Sequence, residues 1–109
     1  MNTLRSPNRR PTHPGALLRA DVLPALKMSQ TEFADRLGVS RLTVSELLHE
    51  KRELSTEMAL RLSKLLDTTP ESWLGMQAAV NLWETRRDES AALASVKPLP
   101  KKRIPEPVE

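Results

Sequence analysis

Gln30-Thr31-Glu32-Phe33-Ala34-Asp35-Arg36-Leu37-Gly38-Val39-Ser40-Arg41-Leu42-Thr43-Val44-Ser45-Glu46-Leu47-Leu48 carries the strongest structural signal in the chain. It follows Ser29, and Ser29-Gln30-Thr31-Glu32 has the form of a capping box. In that arrangement the serine oxygen and the Glu32 carboxylate each satisfy a backbone N–H left exposed at a helix start. The helix so begun should stop at Leu37, because Gly38 takes a left-handed conformation at no steric cost. Ser40 is a second N-cap, so a further helix is expected from there to about His49. Val44, Leu47 and Leu48 face inward on it by 3.6 periodicity, with Arg41, Thr43, Ser45 and Glu46 on its other faces.

Two short helices across a tight turn could be an ordinary hairpin, but the small residues here fall at particular places. Ala34 lets the next helix approach closely, Gly38 makes the turn, and Val39 and Val44 plug the space between the pair. That combination is what a helix-turn-helix needs and a packing hairpin does not.

Outward from this pair the pattern stays helical. A first helix is expected over residues 14–26, opened by Pro14, whose fixed φ suits a first helical position, with Pro24 bending it or ending it early. A fourth begins at Ser55 or Thr56, carries Met58, Leu62, Leu65 and Leu66 as its apolar stripe, and ends near Asp67. A fifth opens with Thr69 as cap, Pro70 at its first position and Glu71 placed well for the helix dipole, and runs to about Ala94. No stretch alternates apolar with polar residues for long enough to make a strand, so the expected class is all α.

The 109 residues, 39% hydrophobic and 28% charged, suffice for one modest core. With no cysteine there is no disulfide or thiolate chemistry, and His13 and His49 lie far apart, so neither a metal nor a cofactor is expected. His13 reads as a packed or capping histidine. No apolar run nears the roughly 20 residues that cross a bilayer, and the N-terminal arginines precede no hydrophobic segment; a cytoplasmic protein is expected.

Prolines cluster at both ends, which divides the chain into a flexible basic arm (1–12), a helical domain (13–94) and a disordered Pro/Lys-rich tail (95–109). The net charge of +3 belongs to those ends. Between Pro14 and Val96 stand ten basic residues against twelve acidic ones, a balance of −2, so any nucleic-acid reading must rest on local geometry.

His13-Pro14-Gly15, Val39-Ser40-Arg41 and Lys51-Arg52, then Glu57-Met58-Ala59-Leu60-Arg61-Leu62, Thr69-Pro70-Glu71-Ser72-Trp73-Leu74 and Leu82-Trp83, closely resemble the HigA antitoxins, within the Xre/lambda-repressor-like helix-turn-helix class. The resemblance spans residues 13–84, and the two tryptophan elements separate this subfamily from generic repressor-like domains. It implies a five-helix domain that dimerises, binds a palindromic operator in its own promoter and neutralises a HigB-type toxin, a RelE-like endoribonuclease that cleaves mRNA. The chain departs from the pattern at two places. His49-Glu50 stands where relatives often carry Asn-Gly, and Ala16 where they commonly carry Glu.

On physical grounds the helix from Ser40 is the candidate recognition helix, its N-terminus entering the major groove of double-stranded DNA. Arg41 can fork onto guanine, Leu42 can meet a thymine methyl, and Ser40, Thr43 and Ser45 can bond bases or phosphates. Glu46 either accepts from cytosine, or repels phosphates and pairs with a neighbour on the helix. Gln30 and Thr31 should lie against the DNA backbone. Lys51 and Arg52 read either as phosphate clamps or as a solvated charge pair.

Trp73, Met76, Val80 and Trp83 form a heptad-like stripe that reads as a homodimer seam, with core packing as its alternative. The seam would set the two recognition helices about 34 Å apart, to match half-sites one DNA turn apart. The basic tails could add non-specific DNA affinity, touch the minor groove, or fold on an acidic or RNA-binding partner.

The leading reading is an antitoxin that represses its own operon in the cytoplasm, at the nucleoid. A stand-alone Xre-type regulator is the alternative, and a protein-interaction module that has lost DNA binding a third. Enzymes are the class supported least, because no serine or carboxylate is paired with a base or an oxyanion loop.

Overall fold

Five helices begin where a side chain caps them, as seen in a computed structural model that describes residues 9–100. His13 Nδ1 accepts the Gly15 N–H at 2.9 Å and starts α1 (Pro14–Leu17). A π-helical turn (Leu18–Val22) and α2 (Leu23–Leu26) continue the same rod. Pro24 therefore does not end the first helix. The Leu23 N–H reaches back to the Leu18 carbonyl, so the turn ahead of the proline is already wound wide, and Pro24 occupies the first turn of α2, where a missing N–H costs little. Lys27, left-handed at φ 55°, closes the rod.

Ser29 Oγ accepts the Glu32 N–H at 3.1 Å and opens α3 (Gln30–Leu37). Only half of the expected capping box forms, because the exposed Glu32 carboxylate turns to Arg36, one helical turn on, at 3.3 Å. Ser40 caps α4 (Arg41–Leu48) through the Thr43 N–H, and Ser55 caps α5 (Thr56–Leu66) through the Met58 N–H. Thr69 caps α6 (Pro70–Asp88). The long last helix expected to Ala94 is broken: α6 stops at Asp88, where Asp88-Glu89 puts two negative charges at the helix's negative end, and α7 (Ser90–Ala94) is a separate short element.

Phe33, the chain's sole phenylalanine, is fully buried with Leu18, Val44, Leu47, Leu48 and Leu62. Burying each such side chain contributes about 1.5–3 kcal/mol. Ala34 and Ala59 are buried among them, and Leu54, Met58 and Trp73 close the core towards α6. Among the described residues there is no strand, no cluster of groups that could hold a metal, and no helix long and apolar enough to cross a membrane.

The basic arm expected over residues 1–12 is docked at its inner end. Pro11 is buried, and Arg10 bridges Glu50 and Glu84, each at 2.9 Å. Residues 1–8 of that arm, and residues 101–109 of the expected tail, lie outside the described residues; residues 95–100 are exposed.

Candidate nucleic-acid interface

The interface is built from two helices whose ends are closed in the same way. At the end of α3, Gly38 sits at φ 75°, its N–H bonds the Asp35 carbonyl at 3.2 Å, and the Val39 N–H bonds the Ala34 carbonyl at 3.1 Å. Arg61, held by Glu57, adds a donor to the Leu37 carbonyl at 2.7 Å. The turn is therefore fixed from the α5 side, and α4 leaves it at a set angle.

At the end of α4 the residue in glycine's place is Glu50, left-handed at φ 61°. Its N–H bonds the Leu47 carbonyl at 3.0 Å, and the Lys51 N–H bonds the Glu46 carbonyl at 2.8 Å, so the turn keeps its form without a glycine. His49 Nδ1 donates to the Ser45 carbonyl at 2.8 Å, and Arg19 donates to the Leu48 carbonyl. The last carbonyls of α4 are thus all occupied by donors or turns.

Between these ends α4 offers its first turn to solvent. Arg41 is exposed and, among the described residues, makes no ion pair. Leu42 is 66% exposed, an apolar side chain left largely to solvent. Ser40 Oγ is spent on the Thr43 N–H and on the Thr43 hydroxyl at 2.9 Å, which leaves that pair fewer bonds for DNA. Ser45 is half-buried, and so is Gln30, while Thr31 is exposed.

Glu46 is paired, but with a residue beyond its own helix: its carboxylate holds Arg52 at 2.6 Å. Lys51 stays exposed. The expected clamp is therefore divided, with one cation presented and one held by α4.

Three residues that frame the interface were not anticipated as part of it: Arg10, Arg19 and Glu50. Burial pushes the Glu50 carboxyl up, but the hydrogen bond and charge of Arg10, with His13 and Arg19 behind it, hold it below the ordinary carboxylate range. The Glu50 hydrogen bond raises Arg10 against the opposing effect of burial. His13, buried at the start of α1, is pushed down mainly by that burial. No sequence signal marked Arg10, which reads as part of a basic tail.

The expected seam divides. Trp73 and Val80 are 3% and 1% exposed within the chain itself, and Trp73 Nε1 donates to Thr68 Oγ1 at 2.7 Å. With Gln77 they form the inward face of α6, so neither is free to meet a second copy. Met76 and Trp83 flank that face, half-buried, beside an exposed Leu82, and Arg87 lies over the Trp83 ring at 5.0 Å.

A family model described as "Helix-turn-helix", HTH_3, matches residues 18–74. The chain is 44% identical over 85 residues to the uncharacterized HTH-type transcriptional regulator YbaQ of Escherichia coli K12, covering 78% of this chain and 75% of that one. It is 36% identical over 96 residues to antitoxin HigA-1 of Vibrio cholerae, covering 88% and 90%. Among solved structures, antitoxin GraA in complex with its operator superposes with a TM-score of 0.78 at 39% identity, covering 89% of this chain and 98% of that one.

Proposed function

The chain belongs to the Xre-type helix-turn-helix family HTH_3, a family of DNA-binding regulators and not of enzymes, and from that premise we propose that it is an antitoxin repressing its own operon. The observation that carries the reading is the exposed first turn of α4. There Arg41, without an ion pair among the described residues, and solvent-facing Leu42 stand on a helix fixed at both ends. That is a preorganised major-groove probe. Arg41 would take guanine, Leu42 a thymine methyl, and Thr31, Lys51 and, once freed from Glu46, Arg52 the phosphates. The operator-bound GraA structure and the HigA-1 relative support this assignment.

In this reading the chain works in the cytoplasm as a homodimer on a palindromic operator. Its seam runs through Met76, Leu82 and Trp83, large apolar residues in the second half of α6 and its approach that the chain leaves partly or fully exposed. The partner to be neutralised is a RelE-like endoribonuclease encoded beside it.

A second reading keeps only the role that the YbaQ relative's name carries, transcriptional regulation, and has no toxin. One experiment separates the two. The product of the neighbouring gene is expressed alone and together with this chain. Translation arrest by the neighbour, relieved by co-expression, upholds the antitoxin; a harmless neighbour, with operator binding intact, supports the solitary regulator.

A further inference from the structure

Among the described residues, three that are not glycine adopt positive φ: Lys27, Glu50 and Asp67. Lys27 and Asp67 are exposed helix ends. Glu50 is different. It is half-buried, it directly precedes Lys51-Arg52, and its carboxylate is gripped by Arg10 at 2.9 Å and by Arg19 at 3.6 Å. A carboxylate beside a phosphate-binding pair repels what that pair should attract, so charge alone argues against a glutamate at this place.

We infer that Arg10 is a positioning residue for DNA binding: by clamping Glu50 in a left-handed conformation it sets the turn that presents Lys51 and Arg52. Residues other than glycine resist this region because Cβ crowds the backbone, and an ion pair to a fixed partner supplies what glycine's freedom would. Arg10 is such a partner. Its other edge is held by Glu84 of α6 at 2.9 Å, and the neighbouring Pro11 is buried. The turn it holds is closed by the Lys51 N–H on the Glu46 carbonyl at 2.8 Å, so Lys51 takes its direction directly from residue 50. The inference rests on the DNA-binding reading above and adds to it a residue outside the helix-turn-helix.

The test is a set of substitutions in which Glu50→Ala carries the sign opposite to simple charge and the double variant separates the clamp from the mere loss of the Arg10 cation. Wild type, Arg10→Met, Glu50→Ala, Glu50→Gly and the double variant Arg10→Met/Glu50→Gly are titrated against the upstream DNA. Removing an acidic residue should tighten DNA binding if charge alone acts. The clamp instead predicts that Glu50→Ala and Arg10→Met each weaken it, by about fivefold. Glu50→Gly should bind at least as tightly as wild type, and adding Arg10→Met to Glu50→Gly should then have little further effect. Exchange of the Lys51 amide is followed in the same proteins without DNA, and protection should fall in Arg10→Met and return in the double variant.

Undiminished binding by Arg10→Met, or a loss that Glu50→Gly does not restore, overturns the inference. A wild-type chain that shows no preference for its upstream DNA overturns the functional reading and the DNA role of Arg10 with it. In that case the Lys51 amide still decides whether the clamp itself exists.

Discussion

A methyl group added at Gly15 would lie 1.8 Å from the carbonyl oxygen of Leu47. That approach packs the first turn of α1 directly on the last turn of α4, backbone to backbone, and it gives the glycine of His13-Pro14-Gly15 a physical reason. The recognition helix is thereby held from behind by the same segment that supplies Arg10, His13 and Arg19.

Gly15→Ala should accordingly cost about 1–3 kcal/mol of stability, as overpacking in a tight interior does, because the obstructing atom is backbone and cannot swing away. Urea unfolding measures it. A variant as stable as wild type would show that α1 and α4 are less closely joined than described.

Arg41→Ala should weaken binding to the cognate operator by about 1–3 kcal/mol and leave thermal stability unchanged, since the side chain is exposed and makes no ion pair among the described residues. Paired operator titrations and thermal melts check both halves. Unaltered operator affinity removes Arg41 from the interface.

Glu46→Gln should act in the opposite direction on non-cognate DNA. Arg52 is released from its 2.6 Å partner and a negative charge leaves the recognition helix, so non-specific affinity should rise and its salt dependence steepen by about one phosphate contact. Titration of a scrambled duplex over a salt series reads this. An unchanged slope would mean that Arg52 does not reach phosphate.

Stability should depend on pH through His13. Burial holds its imidazole below the ordinary value of 6.5, although Glu50 and Glu84 oppose the shift, and Nδ1 must stay unprotonated to accept the Gly15 N–H. The unfolded chain thus binds the proton more readily, so stability is full above pH 6.5 and declines as pH falls towards the lower folded value. The depressed Glu50 carboxyl adds a second decline, beginning below the ordinary 4.5. His13→Asn, whose amide oxygen caps without titrating, should lose the first decline and keep the second in urea unfolding across that range. A wild-type stability that is flat through pH 6.5 contradicts the assignment.

The helix-turn-helix was legible because its signals are local: Ser29, Gly38 and Ser40 act on backbone within three or four residues of themselves. The Arg10–Glu50 pair was not, since it joins residues 40 positions apart and one of them reads as tail. The last helix misled for a more particular reason. Gln77 is buried on the inward face of α6, where its Oε1 accepts the Leu54 N–H at 2.8 Å and its amide donates to Asn81. A polar residue that faces inward to satisfy a buried backbone donor breaks the apolar period, and Trp73 and Val80 then read as a stripe shared with Met76 and Trp83. The left-handed Glu50 was marked only by resemblance, as the place where relatives often carry the glycine of Asn-Gly; its own residue type gave no such signal, because a glutamate reaches that conformation through partners that the fold brings to it.

The proposed seam through Met76, Leu82 and Trp83 predicts that Trp83→Glu shifts the chain towards monomer in sedimentation and weakens operator binding with it, because both half-sites must be engaged together. An intact dimer places the seam elsewhere.

Whether α4 reads DNA is decided by titrating the purified chain with its own upstream DNA and with a scrambled duplex, at two salt concentrations. Tighter binding to the upstream sequence is expected at both, weakening steeply as salt rises. Equal affinity for the two duplexes, or no binding at either salt, would contradict it.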